Sequence, residues 1–335
     1  MTNPIKVAVI GAGMMGKNHL RTYKSLPEFE LVGVYDIFHE AAQNAAAMFG
    51  IKAFASLEEA ASCVDAVSVV TTSVTHAEVG EFFLQRGIHC LIEKPLAATE
   101  AECKRLIAAA KDNNAVLLVG HIEQFNPAVE QLHKILADNS QICALSANRM
   151  SAASGRITDV DVAMDLMIHD AEVILSLVKS PVVNVSAAAV RNAKSPSGKD
   201  YITALVEFAN GATASMTASR ITSSRVRTLS VTTNDNYIDM DYIAQSVAVC
   251  SQGRMHNVAA DTLSENMRYG LKGSAEYLFV PQTQPLAAEL SHFGACLRGQ
   301  ATPRISGEQA LEALKLIWQV QHCLSARTTA AAAAE

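Results

Sequence analysis

Residues 5–16 read IKVAVIGAGMMG, in which an apolar run passes directly into three glycines with the spacing GxGxxG. The run predicts a buried strand, and the residues after the second glycine predict a helix. In such a turn the first glycine permits the bend, the second lets the backbone approach a pyrophosphate, and the third lets helix and strand pack closely. A glycine-rich turn without a ligand is the alternative. The stretch predicts a dinucleotide site, to which the helix N-terminus brings N–H groups, formed by Gly11, Ala12, Gly13, Met14, Met15 and Gly16.

An acidic residue, Asp36, ends the next predicted strand, twenty residues after Gly16. A carboxylate at this position can accept hydrogen bonds from both adenosine ribose hydroxyls, and it would repel a 2′-phosphate. The residues that follow, Ile37, Phe38 and His39, include no arginine or lysine to hold such a phosphate. Asp36 therefore favours NAD over NADP as the cofactor, unless it is an ordinary turn residue at a strand end.

The segment up to Gly120 alternates strand and helix. Apolar strands are predicted at 66–71, 88–92 and 116–119, with helices between them, including a capped helix that Thr99 begins. Near-continuous apolar strands separated by helices indicate a parallel sheet covered on both faces. The fold class is therefore α/β in this part, with an NAD-binding Rossmann domain, a doubly wound parallel sheet, over residues 1–120.

The pattern changes after residue 120. Asn210-Gly211 between two predicted strands is a hairpin signal. Further helices are predicted at 126–136, 162–178, 286–298 and 307–325, and strands at 182–190, 202–208, 212–219, 227–232 and 246–250. We expect an α+β domain over residues 121–325, with an open, largely antiparallel sheet, that binds substrate and forms oligomers. The last helix is a candidate to pack back on the Rossmann domain, and residues 326–335 are expected to fray.

Composition excludes several classes of partner. The 335 residues carry a formal net charge of −6 without a lysine and arginine cluster, which argues against nucleic acid. The apolar run near the start is shorter than the ~20 residues that span a bilayer, and it has no signal-peptide pattern. We therefore expect a cytoplasmic protein without a membrane partner. The seven cysteines form no CxxC pair and show no zinc spacing, so we expect reduced thiols and no metal.

Three polar residues are candidates for catalysis. Lys94 follows a predicted strand at the carboxyl edge of the sheet, where open α/β folds bind ligands. Asp165 and His169 lie four residues apart in an otherwise apolar predicted helix, which places both on one face. Histidine suits the base that alcohol oxidation needs near neutral pH. The alternatives are a solvated lysine at a strand end and a structural Asp–His pair.

Several motifs together resemble one family of sugar dehydrogenases, the glucose-fructose oxidoreductase, inositol dehydrogenase and rhizopine catabolism family (Gfo/Idh/MocA). The matching segments are GAGMMGKNHL at 11–20, VYD at 34–36, TTSVTH at 71–76, EKPLA at 93–97, DLMIHD at 165–170 and the stretch at 289–314. The resemblance implies that Lys94, Asp165 and His169 form the catalytic group. It also implies cofactor contacts from Thr71, Thr72, His76, Glu93 and Lys94.

The sequence departs from the family pattern at two places. Val160-Asp161 stands where many members have Gly-Gly before the catalytic helix, and the segment at 71–76 lacks a common Pro-Asn. We expect these changes to affect the substrate pocket and not the fold.

A narrower resemblance concerns GHIEQFNP at 120–127. It is similar to the GHxERFNP segment of the family members that oxidise nucleotide-linked amino sugars at C3, with Gln124 in place of the usual arginine; a domain hinge is the alternative. The resemblance implies UDP-N-acetylglucosamine as substrate and a 3-keto product for an aminotransferase, on a route to lipid A or surface glycans. Asn126 and Arg149 are weaker candidates for substrate contacts, with structural roles as the alternative.

Two other functions stay open at this point. One is a family dehydrogenase that acts on inositol or a free sugar. The other is a dinucleotide-binding regulator without activity, in which we would expect the Lys94, Asp165 and His169 set to be broken. We also expect a homodimer or homotetramer, because the open face of the second sheet is a surface for another subunit.

Overall fold

The computed structural model describes residues 3–137, 141–152, 161–191, 199–251 and 274–332. The chain divides into two compact units: Met1–Phe125 with Thr283–Lys315, and Asn126–Gln282 with Leu316–Glu335. The boundaries at residues 120 and 325 stay predictions. Among the described residues, no helix is long and apolar enough to cross a membrane.

The described strands are β1 (Ile5–Ile10), β2 (Phe29–Tyr35), β3 (Lys52–Ala53), β4 (Ala66–Val69), β5 (His89–Glu93), β6 (Leu117–Gly120), β7 (Ile142–Met150), β8 (Val182–Arg191), β9 (Lys199–Phe208), β10 (Thr213–Ser219), β11 (Val226–Thr233), β12 (Asn236–Asp241), β13 (Ser246–Ser251) and β14 (Ser274–Leu278). The α-helices are α1 (Met14–Ser25), α2 (His39–Phe49), α3 (Leu57–Ala61), α4 (His76–Leu84), α5 (Glu100–Asp112), α6 (Pro127–Leu136), α7 (Ile168–Val178), α8 (Pro285–Leu297) and α9 (Gly307–Ala332). Short 3-10 turns lie at Ser73–Thr75 and Ile122–Phe125, and a π-helix at Ala163–Met167 precedes α7.

The first unit contains the predicted Rossmann sheet. Six parallel strands lie in the order β3-β2-β1-β4-β5-β6, so the strand order reverses at β1. The last four residues of β1 are fully buried, as expected for a strand covered on both faces. The carboxyl ends of β1 and β4 meet at the reversal, which is the position where open α/β sheets bind ligands.

The second unit contains one eight-stranded sheet in the order β14-β13-β12-β11-β7-β10-β9-β8. Within this sheet, as far as the structure describes it, β7 and β10 are the only parallel pair, so the prediction of a largely antiparallel sheet is confirmed. Buried and exposed residues alternate along β9, which gives the sheet one core face and one open face. The π-helix and α7 contact β10 on the core side.

The structure differs from the sequence prediction in several elements. Strands β3, β7, β12 and β14 and helix α3 were not predicted. Strand β7 carries alanine, serine and asparagine, which have low strand propensity, yet it pairs with strands on both sides. The predicted α-helix at 162–178 begins as the π-helix Ala163–Met167.

The last helix is longer than the helix predicted at 307–325, while fraying of residues 326–335 stays a prediction. Helix α9 continues to Ala332, well into the predicted tail at 326–335. The reason is compositional, because alanine has the highest helix propensity and the tail is a run of alanines.

Candidate active site

The glycine loop between β1 and α1 has the geometry that a dinucleotide needs. Gly11 has a φ of +110°, and a Cβ there would overlap the carbonyl oxygen of Val70. A Cβ on Gly16 would overlap the Gly11 carbonyl oxygen, so this close approach of helix and strand requires glycine. Gly13 is the N-cap of α1, makes no side-chain cap, and a Cβ added there would meet nothing within 4 Å. The loop therefore leaves open space beside Gly13 at a helix N-terminus, which fits a pyrophosphate.

Asp36 follows β2 and is tied to the glycine loop. Its Oδ2 accepts the backbone N–H of Ala12 at 2.7 Å, and its Oδ1 accepts the N–H of Phe38 at 2.9 Å. A carboxylate has about four acceptor positions, so two remain for ribose hydroxyls. The side chains of Ile37 and Phe38 beside it are 82% and 75% exposed. Sequence reasoning did not assign these two residues, although large exposed apolar side chains in a row are a usable signal.

The segment at 71–76 is held by its own hydroxyls and by His76. Thr75 donates its hydroxyl to Oγ1 of Thr71 at 2.9 Å. His76 is buried, with Nδ1 2.8 Å from the carbonyl oxygen of Pro95 and Nε2 3.2 Å from that of Thr71. Burial lowers the pKa of His76. His76 thus links the loop after β4 to the turn after β5, and the cofactor contacts of Thr71, Thr72 and His76 stay predictions.

Lys94 lies directly after β5, and its peptide bond to Pro95 is cis. The buried Glu93 carboxylate accepts the backbone N–H of Lys94 through Oε2 at 3.2 Å. Its Oε1 lies 3.1 Å from Nε2 of His19. Burial by itself would raise the pKa of Glu93, but the hydrogen bond from His19 and the nearby positive charges outweigh burial and lower it. Glu93 is therefore an ionised group that fixes the backbone of Lys94.

Asp165 and His169 lie at the junction of the π-helix and α7. Asp165 is in the π-helix and His169 in the first turn of α7, and both side chains are half-buried, while Ala163, Met167 and Ile168 of the same segment are buried. Asp161 begins the π-helix: its Oδ1 accepts the N–H of Met164 at 3.0 Å, and its carbonyl accepts that of Asp165 at 3.1 Å. The amide of Gln321 donates to both carboxylate oxygens of Asp161. Single π-turns within helices are frequent at functional sites, and this one carries a candidate catalytic carboxylate.

The two substrate candidates have structural partners within the second unit. Arg149 forms a bidentate ion pair with Asp170, with both N–O distances 2.9 Å and both side chains 2% exposed. Its guanidinium carbon also lies 4.9 Å from the centre of the Tyr242 ring. Asn126 caps α6 by accepting the N–H of Ala128, and it donates to the Tyr242 carbonyl. These contacts account for both residues without a substrate, and their substrate role stays a prediction.

Sequence reasoning missed a set of buried polar residues in the first unit. His19, His121 and Glu289 are each at most 1% exposed. The signal was present, because His19 and Glu289 each stand beside leucine on helices that bury an apolar face. Across the described residues, no three or more histidine, cysteine or acidic side chains cluster to hold a metal.

Comparison with known proteins is consistent with this geometry. Residues 5–121 match the model of the "Oxidoreductase family, NAD-binding Rossmann fold", and residues 148–237 match the "GFO/IDH/MocA C-terminal domain". UDP-N-acetylglucosamine 3-dehydrogenase of Acidithiobacillus ferrooxidans is 34% identical over 249 residues, 74% of this chain and 78% of that protein.

Other relatives include the solved structure of GnnA, a UDP-N-acetylglucosamine 3-dehydrogenase of A. ferrooxidans. It superposes with a TM-score of 0.86 at 29% identity, covering 97% of this chain and 99% of that one. An inositol 2-dehydrogenase of Rhizobium meliloti is 26% identical over 64% of this chain and 69% of its own length. The chain therefore belongs to the Gfo/Idh/MocA family, as an oxidoreductase with an NAD-binding Rossmann domain.

Proposed function

We propose that this oxidoreductase oxidises the C3 hydroxyl of a nucleotide-linked amino sugar, UDP-N-acetylglucosamine, with NAD. The observation that carries the proposal is the 34% identity to a UDP-N-acetylglucosamine 3-dehydrogenase, spread over 78% of that relative. The segment GHIEQFNP at 120–127 agrees with it, because this segment resembles the same subgroup.

In this proposal the first unit holds the cofactor. The pyrophosphate lies at the loop from Gly11 to Gly16, where the space beside Gly13 admits it, and the adenosine ribose hydroxyls bind Asp36. Thr71, Thr72, His76, Glu93 and Lys94 contribute further contacts. When bound, NAD supplies the acceptor for the hydride that leaves C3.

The remaining chemistry is assigned to three side chains. His169 takes the proton of the C3 hydroxyl, since imidazole is a base near neutral pH. Lys94 stabilises the negative charge that develops on the oxygen with its ammonium group. Asp165 orients His169 or holds a neighbouring hydroxyl.

The chemistry of the product indicates the next reaction. A 3-keto sugar nucleotide is a substrate for an aminotransferase that installs a 3-amino group. The proposed enzyme therefore supplies the first intermediate of a route to a diamino sugar for lipid A or a surface glycan.

The proposal is tested by following NADH at 340 nm with NAD and UDP-N-acetylglucosamine, with a 3-aminotransferase and glutamate present to remove the keto product. Turnover with UDP-N-acetylglucosamine and none with myo-inositol or free glucose supports it. The 26% identity to an inositol 2-dehydrogenase makes the polyol the second candidate. Turnover with inositol and none with the nucleotide sugar would make the polyol the substrate. The assignment to the family would not change.

Changing Asp36 tests the cofactor assignment. Asp36→Ser removes the charge that repels a 2′-phosphate, so we expect the ratio of kcat/KM for NAD over NADP to fall about tenfold or more, equivalent to ~1.4 kcal/mol. The ratio is measured with each cofactor at saturating substrate. Asp65→Ser is the matched control, because Asp65 also accepts a backbone N–H, that of Lys6, at a strand in the same sheet. An unchanged ratio in Asp36→Ser rules out this role.

The open face of the second sheet supports a homo-oligomer. Leu205 of β9 and Tyr237 of β12 are 45% and 44% exposed on strands whose alternate residues are buried. We expect a dimer or tetramer by light scattering at micromolar concentration, and Leu205→Asp to shift it towards a monomer. A monomeric wild-type protein would refute this assembly.

A further inference from the structure

We infer that His19 and Glu289 are positioning residues for Lys94: they keep Glu93 as the ionised member of a buried carboxyl pair, and Glu93 fixes the Lys94 backbone. The role assigned to Lys94 rests on the proposed function. The arrangement of the Glu93 and Glu289 pair does not rest on the proposed function. The two carboxyls, His19 and Lys94 all belong to the first unit, and their contacts are independent of any substrate.

The first part of the arrangement is a continuous chain of contacts. His19, on α1, is fully buried and lies 3.1 Å from Glu93 through Nε2 and Oε1. An ionised carboxylate carries no proton, so the N–H of His19 Nε2 donates this hydrogen bond. The other oxygen of Glu93 accepts the N–H of Lys94. Hydrogen bonds to an ionised group are stronger than neutral ones, so this chain defines the position of the backbone that carries Lys94.

The second part is Glu289 on α8. It is fully buried, and neither carboxyl oxygen has a hydrogen-bond partner among the described residues. Its helix packs on α1, where Leu290 and Phe293 join the apolar cluster that includes Tyr23. Burial, followed by the negative charge of Glu93, raises the pKa of Glu289 well above its ordinary value. Glu289 is therefore protonated at neutral pH, because two carboxylates in an apolar region do not both ionise.

The groups around the pair do not supply a countercharge to Glu289. Tyr23 donates or accepts a hydrogen bond with Ser68 at 2.8 Å, and burial raises its pKa, so it is neutral. Burial, followed by the charge of Lys94, lowers the pKa of His121 to about 4, which leaves it neutral at pH 7. His76 is buried and its pKa is lowered as well. The positive charge of Lys94 and the hydrogen bond from His19 lower the pKa of Glu93, whereas burial and the charge of Glu93 raise that of Glu289.

Because Glu93 is ionised and Glu289 is neutral, the two carboxyls have different functions. Pairs of titratable groups whose surroundings separate their pKa values in this way are typical of active sites. Ionisation of Glu289 would place a second negative charge beside Glu93. The two carboxylates would then compete for the N–H groups that donate to Glu93. The neutral Glu289 thus preserves the contact between Glu93 and Lys94.

The first experiment measures thermal unfolding of the full chain without cofactor between pH 5 and pH 9. When folding raises the pKa of a carboxyl group, its protonation stabilises the folded protein. The stabilisation is complete below the pKa of the unfolded state, and it is lost as the pH rises towards the pKa of the folded state. Glu289→Gln leaves no carboxyl proton to titrate at this position. The Tm of Glu289→Gln minus that of wild type should therefore rise by roughly 2 °C for each pH unit above 5. Any constant offset from the buried amide does not affect this slope.

Glu30→Gln is the control, since Glu30 is exposed on β2, and its Tm difference should not change with pH. A flat or falling difference for Glu289→Gln would show that Glu289 is ionised in the folded protein and would overturn the inference. This measurement needs no substrate, so its failure is separate from failure of the proposed function.

The second experiment tests positioning. His19→Leu removes the donor to Glu93, and we expect kcat to fall about tenfold or more and the acid limb of its pH profile to move to higher pH. His19→Gln keeps an N–H donor and should restore the profile. Equal losses in both variants with an unmoved profile would show that His19 serves packing alone, and would overturn its positioning role.

Discussion

Lys94→Ala and His169→Ala are each expected to lower kcat by about 10² to 10⁴, the range that general acid–base groups and charge stabilisers contribute. His169→Ala removes the base that accepts the hydroxyl proton, and Lys94→Ala removes the positive charge that stabilises the oxygen. The measurement is steady-state NADH formation, together with thermal unfolding of each variant to show that it remains folded.

Matched controls exist for both substitutions. Lys104 is exposed on α5 and pairs with Glu100, and His133 contacts Ser176 within the second unit. Lys104→Ala and His133→Ala should retain turnover. Wild-type kcat in His169→Ala would contradict its assignment as the base, and wild-type kcat in Lys94→Ala would contradict charge stabilisation by Lys94.

Gly16→Ala is expected to have the largest effect on stability in the cofactor loop. The new Cβ would overlap the Gly11 carbonyl, which is backbone and cannot rotate away, so α1 must move from β1. We expect a loss of about 2 kcal/mol or more in the free energy of unfolding and a loss of NAD binding. Chemical denaturation and calorimetry measure the two quantities.

Gly13→Ala separates the effect on NAD binding from the effect on stability. Its Cβ would meet nothing within 4 Å, so the free energy of unfolding should stay near that of wild type. The methyl group would occupy the space that the pyrophosphate needs, so NAD affinity should fall all the same. Full NAD affinity in Gly13→Ala would place the pyrophosphate elsewhere, and normal stability in Gly16→Ala would contradict the packing described above.

Much of the first unit could be predicted from sequence because its strands are apolar throughout. The fully buried end of β1 and the glycine loop carry a strong local signal, and both occur as predicted. The second unit was harder, since β7 and β12 mix small polar and acidic residues into their exposed faces. Their pairing depends on neighbours far along the chain, which local propensity does not record.

In the candidate site, too, some residues could be recognised from the local sequence and others only from long-range contacts. Lys94 could be selected as a candidate because it follows a strand at the ligand-binding edge of the sheet, and Asp165 and His169 because they share one face of an apolar helix. The π-helix around Asp165 could not be predicted, because it depends on Asp161 at its start and on Gln321 from α9. The buried Glu289 is defined by its packing on α1, and only the folded chain brings its carboxyl group under the negative charge of Glu93.

The most direct test of the central claim uses UDP-N-acetylglucosamine with deuterium at C3. Purified protein is incubated with NAD and this substrate, and the reduced cofactor is examined by mass spectrometry. If hydride leaves C3, the reduced cofactor carries deuterium and turnover is slower than with unlabelled substrate. Turnover that gives unlabelled reduced cofactor would contradict oxidation at C3, and absence of turnover while inositol is oxidised would contradict the nucleotide-sugar substrate.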